Sequence, residues 1–99
     1  MVASVSSEVA LKERVEYWSG RLSVPKPRVR IREMTRKWGS CSTAGTITLA
    51  AELAHREPGF QDFVIAHELL HLRLPNHGKL FKALMTAHVP DWREYDVAK

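Results

Sequence analysis

Two histidines and a glutamate within five consecutive residues form the group with the clearest chemical meaning in this sequence. The segment HELLH places His67 and His71 four positions apart, with Glu68 directly after the first histidine. Residues four apart on a helix share a face, so both imidazoles can bind one metal ion with the carboxylate beside it. This spacing is that of zinc peptidases, and it predicts a zinc-activated water with Glu68 as the general base.

A third imidazole follows six residues after His71. His77 lies beyond Pro75, where a turn lets the chain fold back towards the first two histidines. Three imidazoles and a water molecule form a catalytic zinc site with one open position. The sequence therefore predicts one zinc ion held by His67, His71 and His77, with Glu94 as the alternative third ligand.

The helix that must position these ligands is strongly apolar. After Pro58–Gly59, the segment FQDFVIAHELLHLRL carries apolar residues on almost every side, which is typical of a buried central helix. Pro75 must end this helix near Leu74. Ionisable side chains are costly to bury without partners, and a metal ion would be such a partner. The alternative, in which the two histidines only bond to backbone or carboxylate groups of the core, remains open.

The other segments indicate a small α+β domain. Apolar spacings of four and three predict an amphipathic N-terminal helix over about residues 7–20. Alternating residues predict strands at 28–32 and 46–49, which we expect to pair as a short antiparallel β-hairpin. A short C-terminal helix follows around residues 80–85. The whole chain, residues 1–99, is expected to form one domain.

Composition limits the class of protein. With 99 residues, a 44% hydrophobic fraction and a 26% charged fraction, the chain is an ordinary globular sequence. Its single cysteine, Cys41, cannot form an internal disulfide, which fits a reducing compartment. The sequence has neither a signal-peptide pattern nor a long apolar run. We therefore expect a cytoplasmic protein without a membrane partner.

The net charge of +4 is unevenly distributed. Six of the 15 basic residues lie between residues 26 and 37, where Glu33 is the single acidic residue. Arg28, Arg30 and Arg32 alternate with apolar residues, so the predicted strand has one basic face. This face is interpreted either as a solvated edge that discourages aggregation or as a surface that binds the phosphates of a nucleic acid.

From Arg36 to Phe81, the sequence resembles the YgjP-like metallopeptidases, relatives of the SprT-like zinc proteases and the minimal gluzincin-type peptidases. The motifs WGSC, G-x-I-x-L, HELxH and NHxxxF occur in the order typical of that family. The resemblance implies a zincin-like fold, zinc ligands His67, His71 and His77, and Glu68 as the catalytic carboxylate.

The resemblance also implies that the strand around 46–49 lies along the cleft. We accordingly expect a peptide substrate to add beside this strand and to contact Thr46, Ile47 and Thr48.

The residues of the WGSC motif have structural interpretations. Trp38 and Gly39 of WGSC are expected to shape a turn and pack the core, and Cys41 to be a small, half-buried residue.

His55 and His88 are expected to lie at the surface or to form hydrogen bonds within the core, although His88 is also a candidate for binding the transition state.

Three candidate functions follow from the predicted metal site. A zinc peptidase is favoured, followed by a zinc-dependent hydrolase of nucleotide phosphate anhydrides. A non-catalytic module that binds nucleic acid or protein is third, because a structural zinc site would not need Glu68 beside an open metal position.

Overall fold

An N-terminal helix and a three-stranded sheet pack around the helix that carries HELLH. The computed structural model describes residues 2–96, with side chains from Ser7 onward. Its elements in chain order are α1 (Val2–Arg21), β1 (Arg28–Arg32), β2 (Gly39–Cys41), β3 (Thr46–Ala50), a short 3₁₀ helix (Ala51–His55), α2 (Pro58–Leu70), α3 (Lys79–His88) and α4 (Trp92–Tyr95). The predicted α+β class is confirmed. None of the helices within residues 2–96 has the length and apolar character that a membrane crossing requires.

The sheet has the order β1-β3-β2. β1 pairs with β3 in parallel, so the predicted antiparallel hairpin of these two strands is wrong. The hairpin is formed instead by β2 and β3, which are antiparallel, and Gly45 in the turn between them has a φ of 90° that favours glycine. β2 was expected to be a turn, because its sequence GSC is short and lacks the β-branched residues that indicate a strand.

β3 is the central strand, and β1 and β2 occupy both of its edges. An extended peptide therefore cannot add as a strand beside residues 46–49, and that prediction is wrong. Ile47 is 0% exposed and cannot contact a substrate. Thr46 and Thr48 are half-buried and lie on the sheet face opposite Ile47, because successive residues of a strand point to opposite faces.

α1 is held against α2 by apolar and polar contacts. Leu11, Val15 and Trp18 of α1 are at most 4% exposed and belong to the main core cluster. At the rim of this contact, Asp62 of α2 accepts hydrogen bonds from Arg14 Nη1 at 2.6 Å and from Trp18 Nε1 at 2.8 Å. The apolar contacts supply stabilisation, and the bonds to Asp62 set the position of α1 along α2.

α2 ends at Leu70, four residues before the predicted end. His71 keeps a right-handed helical conformation, with φ of −66° and ψ of −14°. The backbone hydrogen bonds that follow are of the 3₁₀ type, since the amides of Leu72 and Arg73 donate to carbonyls three residues earlier in the chain. His71 therefore keeps the helical spacing to His67 while the chain already turns towards α3.

α4 packs on the first turns of α2. The Tyr95 ring lies 5.7 Å from the Phe60 ring and 6.1 Å from the Phe63 ring, measured between centroids. Gly59 lies beneath the Tyr95 hydroxyl, in a place where the Cβ of any other residue would clash with it. Trp92 adds a hydrogen bond from its Nε1 to Thr86 Oγ1 at 3.0 Å. These contacts bring Asp96 close to the HELLH segment.

Candidate metal centre and cleft

Three histidine side chains converge at the end of α2. One ring nitrogen from each of His67, His71 and His77 lies within 4.8 Å of the others. His67 belongs to α2, His71 follows directly after its last residue with a helical conformation, and His77 comes from the loop before α3. The predicted trio is thus brought together by the fold, and Glu94, the alternative third ligand, is not part of this group.

The hydrogen bonds of His71 fit a metal ligand. Its Nδ1 lies 3.0 Å from the carbonyl oxygen of Leu74, which can only accept, so Nδ1 carries the proton. The Nε2 of this tautomer carries the lone pair that a metal ion would use, and it lies within hydrogen-bond distance of His77 Nε2, at 2.8 Å. Two nitrogens that bind the same tetrahedral zinc lie about 3.3 Å apart. A backbone carbonyl that orients a ligand in this way is the usual arrangement behind metal-binding histidines.

Phe81 forms the apolar wall behind the three imidazoles. Its ring centroid lies 5.4 Å from that of His67, 5.1 Å from that of His71 and 4.5 Å from that of His77. The Phe81 side chain is 3% exposed, so it is fixed by the core and limits the movement of each imidazole. The sequence indicated Phe81 as the aromatic residue of the NHxxxF motif and as part of a short helix. It did not indicate the contact with the histidines, because that contact depends on how α3 packs on α2.

Glu68 is a buried carboxylate at the floor of the site. The residue is 8% exposed, and its Oε2 lies 3.2 Å from His67 Nδ1. Gly39 of β2 lies directly against it, since a Cβ at Gly39 would be 3.1 Å from Glu68 Cγ and 3.3 Å from Val64 Cγ1. The glycine of WGSC therefore lets the edge strand approach the carboxylate. This role was missed because the sequence does not show which helix β2 packs against.

The surroundings of the site favour a neutral His77 imidazole and a neutral Cys41 thiol. Partial desolvation, followed by repulsion from His67 and His71, lowers the pKa of His77 below its usual value. Neutral imidazole is the form that binds a metal. Burial, followed by the negative charge of Glu68, raises the pKa of the Cys41 thiol. A protonated thiol is a poor nucleophile and a poor ligand, which agrees with the structural interpretation of Cys41.

A cleft of about 240 Å³ lies beside the histidines. Segment 36–39 forms one wall, α2 forms the floor through Val64, His67 and Glu68, and Asp96 lies at one end. Sequence reasoning did not assign Arg36, Lys37 or Asp96 to the site. Arg36 and Lys37 were visible only as part of the basic stretch, and nothing in the sequence indicates that Asp96 returns to α2.

The remaining candidate residues lie elsewhere. His55 is exposed at the end of the 3₁₀ helix. His88 lies at the end of α3, where its Nδ1 accepts a hydrogen bond from Arg21 Nε at 3.4 Å and its ring meets the edge of Trp18. Both positions agree with the structural interpretation. The basic strand β1 carries Arg28, Arg30 and Arg32 at the sheet edge opposite β2, and these arginines do not line the cleft.

Residues 5–97 match the family model described as YgjP-like, metallopeptidase domain. Among solved structures, the chain is similar to the metallopeptidase zymogen of Methanocaldococcus jannaschii jannalysin, with 23% identity, a TM-score of 0.72, and coverage of 79% of this chain and 80% of that chain. It is also similar to the metallopeptidase zymogen of Pyrococcus abyssi abylysin, with 22% identity, a TM-score of 0.72, and coverage of 85% and 89% respectively. No curated protein matches the chain significantly in sequence. The two structures confirm the predicted zincin-like fold.

Proposed function

The chain belongs to the YgjP-like metallopeptidase family, and from this membership we propose that it is a zinc-dependent peptidase with Glu68 as its general base. One observation supports the proposal most directly. Three imidazole nitrogens converge beside a buried carboxylate. His67 and Glu68 line the open cleft, and His67 also lines a smaller cavity together with His77. A structural zinc site would have no need for such a carboxylate or for a cleft.

His67, His71 and His77 are the residues that would hold the zinc ion. When bound, zinc lowers the pKa of a water molecule to about 7 and polarises the carbonyl oxygen of the peptide bond. Leu74 fixes the His71 ring through its carbonyl, and Phe81 restricts all three rings. The chain thus supplies a donor set whose orientation exists before binding.

Glu68 performs the proton transfers in this proposal. Its carboxylate takes a proton from the attacking water and later passes that proton to the amine that leaves. Burial limits the number of water molecules that compete for the carboxylate. The approach of Gly39 and the bond to His67 Nδ1 hold Glu68 at the floor of the cleft.

The edge of β2 is the proposed place for the peptide substrate. β2 has a single neighbour in the sheet, β3, so its other edge is not paired with a strand of the sheet. The chain leading into β2, residues 36–39, forms the wall of the cleft next to His67 and Glu68. An extended peptide on this edge would gain backbone hydrogen bonds that set its register beside the catalytic carboxylate.

Replacing Gly39 with alanine tests the contact between β2 and Glu68. The new Cβ would lie 3.1 Å from Glu68 Cγ, so strand and carboxylate must move apart by a few tenths of an ångström. We expect kcat for peptide hydrolysis to fall about tenfold, because small displacements of catalytic groups are costly, with about 1–2 kcal/mol lost from the free energy of unfolding.

Gly20→Ala is the matched control, since no atom lies within 4 Å of its added Cβ. Steady-state kinetics and urea unfolding of both variants give the comparison. Unchanged kcat in Gly39→Ala would show that β2 does not position Glu68.

Hydrolysis of nucleotide phosphate anhydrides is the second candidate function. Arg36 and Lys37 line the same cleft as His67 and Glu68, and two cations beside a metal site can hold phosphate groups. The arginines of β1, which suggested this activity from the sequence, lie away from the cleft. The second candidate therefore depends on Arg36 and Lys37 alone.

A substrate panel separates the two functions. We expect the zinc-loaded protein to release new amino groups from a denatured, labelled protein, and to release no phosphate or pyrophosphate from nucleoside triphosphates. The chelated protein should do neither. Phosphate release that is lost in Arg36→Gln/Lys37→Gln would favour the second function, and inactivity on every substrate of the panel would contradict both.

A further inference from the structure

The positive charge of this chain is concentrated on one strand and the residues beside it. Residues 26–37 carry six basic side chains and Glu33, a net charge of +5, whereas the whole chain carries +4. The remainder of the chain is thus slightly acidic. The cleft accounts for two of these basic residues, Arg36 and Lys37, and leaves the arginines of β1 without a function.

These arginines lie on the outer face of the sheet. Val29 and Ile31 of β1 pack against the core, as do Ile47 and Leu49 of β3. Residues that alternate with them must point the other way. Arg28, Arg30 and Arg32 are accordingly exposed. They make no ion pair with any residue that the structure describes.

Hydroxyl groups continue this face across the sheet. In the strand register, Arg30 lies opposite Thr48, and Thr48 lies opposite Ser40 of β2. Arg28 lies opposite Thr46 in the same way. Adjacent strands are about 4.8 Å apart, and alternate residues along a strand are about 6.7 Å apart. The result is a line of three guanidinium groups about 13 Å long, flanked by hydroxyl donors.

We propose that this outer face, formed by Arg28, Arg30 and Arg32 with Thr46, Thr48 and Ser40, binds the phosphate backbone of double-stranded nucleic acid without reading its sequence. Evenly spaced guanidinium groups match a partner with evenly spaced phosphates, and each can bind one phosphate through two N–H groups. The face has no aromatic side chain for stacking on unpaired bases. It also has no exposed apolar side chain to insert into a lipid surface.

The proposed surface and the catalytic cleft are separate. β1 and β2 lie at opposite edges of the sheet, and the cleft lies between segment 36–39 and α2. α2 packs with the core residues of the inner face. A duplex on the outer face would therefore leave Glu68 and the three histidines accessible. This inference goes beyond the proposed peptidase function and does not depend on it.

The test measures how tightly a fluorescently labelled 20-base-pair DNA duplex binds to the full chain. Fluorescence anisotropy gives the affinity at each of several increasing salt concentrations. Three phosphate contacts predict a slope of log K against log salt of about −2.7, a loss of about 40-fold in affinity between 50 and 200 mM salt. In Arg28→Gln/Arg30→Gln/Arg32→Gln, we expect affinity at low salt to fall at least about tenfold and the slope to approach zero.

The matched control removes the same charge elsewhere. Lys12→Gln/Arg73→Gln/Arg93→Gln changes three exposed basic residues outside the outer face and should bind within about threefold of the unaltered chain. Thermal unfolding of both variants checks that they fold. Turnover of a short peptide by the β1 variant should equal that of the unaltered chain, which separates this proposal from the proposed function.

Two results would overturn the proposal. If the β1 variant and the control variant bind the duplex equally well, the arginines only protect a sheet edge. If polyglutamate or vesicles of anionic phospholipid bind these arginines more tightly than the duplex does, the partner is a different polyanion.

Discussion

Replacing Glu68 with glutamine is expected to lower kcat for peptide hydrolysis about 10³-fold while the chain keeps its metal. Positioned general bases contribute about 10²–10⁴-fold, and Glu68 is the carboxylate on the floor of the cleft. The amide of glutamine has nearly the same shape as the carboxylate but cannot take a proton from water. The expected signature is therefore a loss of kcat with little change in KM.

Glu94→Gln is the matched control for this experiment. Glu94 is exposed on α4 and is not among the residues that line the cleft. Its replacement should leave kcat within about twofold of the unaltered value, as is usual for surface substitutions. Metal content of both variants, measured by elemental analysis after zinc loading, should equal one ion per chain. Full activity in Glu68→Gln would rule out Glu68 as the general base.

Removal of zinc is expected to lower the melting temperature by about 15–30 °C. Zinc at a concentration 1,000 times its dissociation constant would stabilise the folded chain by about 4 kcal/mol, and each kcal/mol shifts the melting temperature of a domain this small by about 4–8 °C. Three half-buried or exposed imidazoles from α2 and the following loop form the site, so binding ties that loop to the helix. Thermal unfolding with zinc and with a chelator measures the shift.

Variants of single histidines locate the effect. His77→Ala should remove most of the zinc-dependent shift, because it leaves two of the three donors. His55→Ala should retain the full shift, since His55 is exposed at the end of the 3₁₀ helix and outside the cluster. Equal melting temperatures of the unaltered chain with and without zinc would contradict the proposed metal centre. A full zinc effect in His77→Ala would remove only His77 from the ligand set.

Local periodicity explains what was predictable about the site. His67 and His71 had to share a face because helical geometry fixes the direction of residues four apart. Strand geometry in the same way placed Arg28, Arg30 and Arg32 on one face of a strand. Helical spacing also placed Leu11, Val15 and Trp18 on the buried side of α1. The third candidate ligand was harder to predict from the sequence. His77 and Glu94 were both available, and the path of the chain after Pro75 decides which of them lies near the first two histidines.

Strand pairing shows the opposite case. The alternation of residues 28–32 and 46–49 shows which side chains share a face, yet it contains no information on neighbours or direction. The parallel pairing of β1 with β3, and the place of the segment GSC as β2, are visible only in the tertiary structure, where β2 and β3 pack on α2. The error had a functional consequence, because it assigned the substrate to a strand whose edges are both occupied.

The sequence by itself thus determined which groups are available for the proposed chemistry, since residue type and helical spacing are local properties. Only the tertiary structure decided which surfaces surround that chemistry. It brought Arg36, Lys37 and Asp96 to the cleft, placed Gly39 against Glu68, and turned the arginines of β1 away from the three histidines proposed as metal ligands. These arrangements join residues distant in the chain, and their geometry depends on how sheet and helices pack around one core, which no local pattern encodes.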